Sequence, residues 1–529
     1  ARARRMWAAR LSVRDVALVG LGALAGALAR WLAHHLRRQA RTSSSLSLRL
    51  RSLPPSTLYA GTHALAPLMK SEGMLVLSGG VPPAASFPLR GISVCAVHPP
   101  SSPDARHAVR TARHGNKARS SAPAAQTELV ELPLSSEEVA LSQRYAPFAW
   151  DTLSQWLELH VQALHSPPAH AEHRTCITAG SMSGVEMLAS MLIDRGDVVL
   201  MEERTFMAAI DVFRSMGAVL VPVAVDSAGL VPDSLAAACA SLAARGVTPK
   251  LLYTVPVGQN PTGSRLAAER YELIYSIAAA NRLLIMEDDA YFYMQHRADA
   301  PQLPLPGLQG LGPSFLSIDT KGIVLRLDTF SKLLAPGFRV GWLTAPRRYA
   351  DAYNGLAYIS SQWGSSLSIS VLAKLLSSPG WLEAHVTALQ ATMRERCRAL
   401  LRALARHLQG LASWSEPSAG MFLWLRLHTP APSREALVDA MREFRVVAVP
   451  GCDCSVPIEN GHLEDALDSW AAGPRVGRSL GREAAAPERG VTSTSCGGPC
   501  EYIRLSYVID ESQYDVAAQR LHQLALSFC

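Results

Sequence analysis

Lys332 stands in the stretch Thr329-Phe-Ser331-Lys332, and Arg339 follows seven residues on in Gly337-Phe-Arg-Val-Gly341. A lysine amine in so apolar a setting is desolvated, its affinity for a proton falls, and the neutral amine is free to form a Schiff base with a carbonyl. Three more segments carry groups of interest. Thr178-Ala-Gly-Ser-Met-Ser-Gly184 places small residues, hydroxyls and backbone N–H groups just before a helical pattern, a composition that suits an anion cradle and an ordinary helix cap alike. Asn260-Pro-Thr-Gly263 and Glu287-Asp-Asp-Ala-Tyr291 supply an amide, carboxylates and a phenol.

The elements that must position these groups are legible in the hydrophobic pattern. Short apolar runs at 198–201 (VVLM), 218–225, 250–255 (KLLYTV), 283–286 (LLIM) and 323–327 (IVLRL) alternate with helical spacing at 183–193, 232–244 and 266–280. That alternation predicts an α/β fold with a mostly parallel sheet covered by helices on both faces. The Asn260, Asp288 and Lys332 segments each follow one of the runs, at the carboxyl ends of strands, where open α/β sheets bind their ligands. Beyond residue 353 the pattern turns helical (371–376, 382–411), then strand-like at 421–427 and 445–449, and closes with a strand at 502–508 and a helix at 511–528. This predicts a smaller α+β C-terminal domain. The expected division is a leader over 1–52, an N-terminal arm and large domain over 53–350, and a connecting helix with the small domain over 351–529. Residues 99–126 and 458–499 show no sustained periodicity and are expected to be disordered insertions.

The motifs NPTG, EDDAY and SK-x6-R, in this order and spacing, resemble the class I/II, fold-type I aminotransferases that use pyridoxal 5'-phosphate. LLYTVPVGQNPTG, IMEDDAYF, LDTFSKLLAPGFRVGWLTAP and PSAGMFLWLRL are most similar to the branch of kynurenine/2-aminoadipate and aromatic amino acid aminotransferases. Four linked motifs over roughly 78–528 make a chance match remote. The resemblance implies that Lys332 carries the cofactor and then shuttles protons, that Asp288 pairs with the pyridinium nitrogen, and that Tyr291 and Asn260 hydrogen-bond the phenolate oxygen. It further implies a phosphate site made of Ser181, the backbone at Met182, Ser331 and Arg339, with Thr329 assisting. Arg504, in Tyr502-Ile-Arg-Leu-Ser506, would bind the substrate carboxylate together with Asn260; Gly79 and Gly80 would form a substrate-side turn. Tyr145 would reach the phosphate of a neighbouring subunit's cofactor, which implies a homodimer with shared active sites.

Several positions depart from the family pattern. Met182 replaces a polar residue, Phe206 replaces the tyrosine usual where the cofactor ring stacks, Arg204 stands where proline is usual, and Trp150 where glycine is usual. Cys452-Asp-Cys454 and the segment after it replace a shorter loop. These changes bear on substrate identity more than on the chemistry.

Composition sets the outer limits. The 529 residues are 48% hydrophobic and 18% charged, which excludes wholesale disorder. The formal net charge of +7 is concentrated at the front: residues 1–52 hold eleven arginines, no lysine and one acid, leaving 40 basic against 43 acidic residues elsewhere. A slightly acidic body removes the case for nucleic-acid binding. The Arg- and Ser-rich leader has the composition of an organellar, for instance mitochondrial, transit peptide. Its apolar run at 16–29 is 14 residues long, short of the about 20 a spanning helix needs, so a membrane anchor and a cytoplasmic location stay open beside it. Nine scattered cysteines show no metal-ligand spacing and are expected to be free thiols.

The expected activity is transfer of an amino group from an aromatic, kynurenine-type or 2-aminoadipate-type amino acid to a 2-oxo acid such as 2-oxoglutarate, in a ping-pong cycle. The alternatives are a lyase or decarboxylase using the same cofactor, and a catalytically impaired scaffold on the same fold.

Overall fold

The computed structural model describes residues 47, 87–97, 129–145, 150–296, 307–457 and 500–529. Gly80, both expected insertions, and all of the leader except Ser47 lie outside these residues. The hydroxyl of Ser47 donates to the carbonyl of Ser190 (3.0 Å).

The large unit is built on a seven-stranded sheet of β1 (His173–Thr178), β2 (Val198–Glu202), β3 (Val219–Val223), β4 (Leu251–Thr254), β5 (Leu284–Asp288), β6 (Val324–Thr329) and β7 (Gly341–Pro346). Their order across the sheet is β1-β7-β6-β5-β4-β2-β3. Neighbours from β6 to β3 run parallel, while β7 runs antiparallel to both β6 and β1. Every residue of β2, β4, β5 and β6 is buried. This explains their reading as continuous apolar runs, the mark of strands covered on both faces. β7 was not among the runs expected from the pattern. Its Gly-Trp-Leu-Thr-Ala-Pro sequence is equally buried but follows directly on the Arg339 turn.

The covering helices follow the same logic. In the helix Ser181–Leu192, Val185, Leu188, Ala189 and Leu192 lie at the i, i+3, i+4, i+7 spacing of one face and are fully buried. That face packs on β6 and β7. Helices Pro232–Ala244 and Ala268–Ala280 coincide closely with the spacing that predicts them.

The small unit holds an antiparallel sheet of β8 (Ala412–Trp414), β9 (Phe422–Leu427), β10 (Val449–Pro450) and β11 (Tyr502–Ser506), ordered β8-β9-β11-β10. The helices Trp381–His407 and Tyr514–Leu526 pack against each other. The run at 445–449 forms only the two-residue β10, because Arg445 ends the preceding helical turn at a left-handed φ of 53°. The helix Arg347–Ile359 runs across residue 350, where the boundary between the units was expected.

The cysteines need a correction. Cys452 and Cys500 form a disulfide with Cα atoms 5.5 Å apart, closing the ends of a segment that includes 458–499. Among the described residues Cys95, Cys176, Cys239, Cys397, Cys454 and Cys529 are free, as expected. The sequence could not show that β10 and β11 pair and so bring two distant cysteines together.

Candidate active site

β6 ends at Thr329 and the chain turns at once into a single helical turn, Phe330–Leu333, that carries Lys332. Thr329 caps it: its hydroxyl oxygen accepts the Ser331 N–H (3.1 Å), and its hydroxyl donates to Ser331 Oγ (2.9 Å). Lys332 is half-buried, and its amine is held below the ordinary lysine range, first by burial and then by the charges of Arg504 and Arg339. Both guanidinium groups therefore bear electrostatically on the amine. Neither Arg339 nor Arg504 is ion-paired to a carboxylate among the described residues.

On one side lies an anion cradle. Gly180 has φ +82° and precedes the helix Ser181–Leu192, whose start has no side-chain cap. Its positive φ favours glycine, and a Cβ there would come within 2.7 Å of Arg339 Nη2, so a side chain at this position would push the guanidinium aside. Arg339 donates to the carbonyl of Ala179 (3.5 Å) and to that of Pro336 (3.3 Å). The first-turn N–H groups of Ser181 and Met182, the Ser331 hydroxyl and the Arg339 fork thus come from three loops at one end of the sheet.

On the other side, Asp288 ends β5. One carboxylate oxygen accepts the Tyr253 hydroxyl (2.7 Å), while the other, Oδ1, is buried without a hydrogen-bond partner. Burial pushes the acid up to about 6; the charge of Asp328 adds to the rise and the Tyr253 hydrogen bond opposes it. Tyr291, one turn on, meets Phe422 edge to face with ring centres 5.6 Å apart, and Asn260 opposes the rise of its phenol. Burial and the neighbouring Asp288 raise its phenol well above the ordinary range. Asn260 Oδ1 in turn accepts from Arg504 Nη1 (2.6 Å), and the Arg504 guanidinium lies 4.3 Å from the centre of the Phe422 ring. The large unit's Asn260 and the small unit's Arg504 thus meet across the boundary between the two sheets.

Phe206 begins the helix Met207–Ser215 and packs half-buried on the core. Tyr145 is apart from the group: it is 53% exposed, in an open surface cleft of about 530 Å³ that Ser361 and Gln362 also line and none of the residues above does.

Four residues were missed by reading the sequence. Tyr253 is the donor to Asp288, Phe422 supports Arg504, and Arg326 lies beneath the acids that flank Asp288. Glu202, at the end of β2, accepts from Thr254 Oγ1 (2.6 Å), the Val255 N–H (3.1 Å), Gln259 Nε2 (2.8 Å) and Thr205 Oγ1 (3.4 Å). The available signal was a polar or aromatic residue inside an otherwise aliphatic run: the tyrosine of LLYT, the arginine of VLRL, the glutamate closing VVLME.

Comparisons with known proteins show the family and the fold. Residues 146–463 match the family described as aminotransferase class I and II. The chain is 36% identical to the aminotransferase swnA of Metarhizium robertsii, over 53% of this chain and 56% of that protein, so it spans little more than half of that relative's length. It is 32% identical to the mitochondrial kynurenine/alpha-aminoadipate aminotransferase of Bos taurus, over 58% of this chain and 73% of that protein. The crystal structure of the aminotransferase Aro8 from Candida albicans shares the fold, with a TM-score of 0.71 over 92% of this chain and 98% of that one at 23% identity.

Proposed function

Because the chain belongs to the class I and II aminotransferases, we propose that it transfers an amino group from an aromatic, kynurenine-type or 2-aminoadipate-type amino acid to a 2-oxo acid such as 2-oxoglutarate, with pyridoxal 5'-phosphate as cofactor. One observation carries the reading. Two guanidinium groups that lack carboxylate partners among the described residues, Arg339 and Arg504, act on the Lys332 amine, and the unpartnered Oδ1 of Asp288 is buried at the same end of the sheet. A cofactor with a phosphate and a ring nitrogen would satisfy Arg339 and Asp288, and the carboxylate of a substrate held beside it would satisfy Arg504.

The residues present fit that cofactor. Arg339, Ser331, Thr329, Ser181 and the Met182 N–H would hold its phosphate, arginine being the forked donor suited to a dianion. Asp288 Oδ1 would hold the ring nitrogen, Tyr291 and Asn260 the phenolate oxygen, and Phe206 one face of the ring. When bound, the cofactor supplies a conjugated ring that accepts the electron pair left on a substrate carbon after proton loss. Lys332 would bind the aldehyde carbon and then carry protons at Nζ, the lowered proton affinity keeping a fraction of the amine neutral for both tasks. Arg504, aligned by Asn260 and Phe422, would bind the substrate carboxylate.

In this reading 53–350 is the cofactor-binding unit and 351–529 the small unit. The exposed Tyr145 serves the site of a second copy in a homodimer. The name of the bovine relative and the composition of the leader support a mitochondrial location; among the described residues no helix is long and apolar enough to cross a membrane.

The test is direct. The protein loaded with pyridoxal phosphate should show a visible absorption band that is lost on adding excess kynurenine, 2-aminoadipate or phenylalanine and restored by 2-oxoglutarate, while Lys332→Ala shows neither change. A folded wild-type protein that develops no band would end the proposal. Loss of the band without recovery on adding any 2-oxo acid would replace transfer by a lyase or decarboxylase reaction.

A further inference from the structure

The acid that faces the proposed ring nitrogen is flanked by two others. Glu287 and Asp289 lie on either side of Asp288 and, by the alternation of a strand, project to the opposite face. There they meet Arg326 of β6, whose Cα pairs in register with Glu287. Arg326 Nη1 lies 3.0 Å from Glu287 Oε1 and 2.9 Å from Asp289 Oδ2. Its Nε and Nη2 take both oxygens of Asp328, at 2.8 and 2.9 Å. All four side chains are fully buried, and the guanidinium is closed off by the Phe292 ring, 4.6 Å from its centre. One cation thus holds three carboxylates on one face of the strand whose other face presents Asp288.

We propose that Arg326 is a positioning residue for Asp288: by gathering Glu287, Asp289 and Asp328 it clamps the carboxyl end of β5 to β6 and offsets the charges nearest Asp288, so that Asp288 remains an ionised, correctly aimed partner for a protonated ring nitrogen. The physical need is plain. Buried carboxylates this close repel one another strongly in a low dielectric; burial holds Glu287, Asp289 and Asp328 above the ordinary carboxylate range, and the Arg326 charge opposes that rise in each. The charge of Asp328 already acts on Asp288. A lysine could supply the charge but not the fork that spans three acids.

The inference rests on the reading of Asp288 given above, and the experiment separates the two. Pyridoxal phosphate affinity and the visible spectrum are measured for wild type, Asp288→Asn, Arg326→Met and the double variant. Circular dichroism checks each apoprotein for folding. Arg326→Met should weaken binding about tenfold and alter the band when Asp288 is present, but less than about twofold when residue 288 is asparagine, since residues acting through one group are not additive. Arg326→Lys should show the same dependence on residue 288 at smaller amplitude, and it decides the matter should the methionine variant not fold. An equal loss in both backgrounds would show a merely structural role and overturn the inference while leaving the proposed function intact. Wild-type affinity and spectrum in Asp288→Asn would remove the assignment of Asp288, and this inference with it.

Discussion

Asp288 is held against its own solvation. Its folded acid constant, pushed up to about 6 by burial, exceeds the unfolded value, so its contribution to the stability of the cofactor-free protein is fully present at low pH and lost as pH rises through about 6. The free protein at pH 8 therefore carries a buried charge that only a cationic partner relieves. Asp288→Asn should stabilise the cofactor-free protein at pH 8, by on the order of 3 kcal/mol for a shift of this size, with the difference vanishing below pH 4. Denaturant melts of both proteins across that range check it, and cofactor addition should reverse the ranking at pH 8. Arg504 gives a second test at this scale. Arg504→Ala should raise KM for both the amino acid and the 2-oxo acid, since both carry the carboxylate it would bind. The loss of a charge-assisted pair is about 2–3 kcal/mol, or roughly 30- to 150-fold in kcat/KM.

At the scale of elements, the site depends on strand ends being tied together. Glu202 gathers donors from β4, from the loop bearing Asn260 and from the turn before Phe206, so one carboxylate organises three segments. Glu202→Ala would leave those donors buried and unpaired, and should cost about 3 kcal/mol or more in unfolding free energy. A urea melt measures it. The small unit is joined at the same place: Thr205 N–H donates to the Cys454 carbonyl (2.8 Å) and Val456 N–H to the Glu203 carbonyl (3.0 Å). Arg204, where the family pattern has proline, adds a side-chain hydrogen bond to Ser455. A departure that reads in sequence as a reshaped entrance is, in the structure, a link between the two units.

For the whole molecule, the backbones of the two units meet near the site at a pair of glycines. Gly258 and Gly420 face each other at positive φ, and a Cβ on Gly258 would come within 2.7 Å of Gly420 Cα. Gly258→Ala should strain this contact by roughly 1–3 kcal/mol, lowering the unfolding midpoint. It should also raise KM, because it displaces Asn260 from Arg504, while the visible band of bound cofactor is retained. Steady-state kinetics beside an absorption spectrum would show whether the two effects separate.

The sequence by itself determined the class of fold and singled out the residues proposed to carry the chemistry. The buried strands read as apolar runs because both their faces are covered, and Lys332, Asp288, Asn260 and Arg339 stood out because they follow those runs at spacings local to each loop. Contacts between residues far apart in the chain were decided only by the tertiary structure. Residues 260 and 504 meet because β9 and β11 pair in the small sheet and that sheet docks on the strand ends of the large one. Tyr253 bonds Asp288 and Arg326 gathers three acids because β4, β5 and β6 lie side by side in a particular register. Cys452 meets Cys500 because β10 joins β11. Hydrophobic periodicity reports which face of an element is buried; it carries no information about which neighbour covers that face, and the bonds Tyr253–Asp288, Asn260–Arg504 and Arg326–Glu287 are made between neighbours.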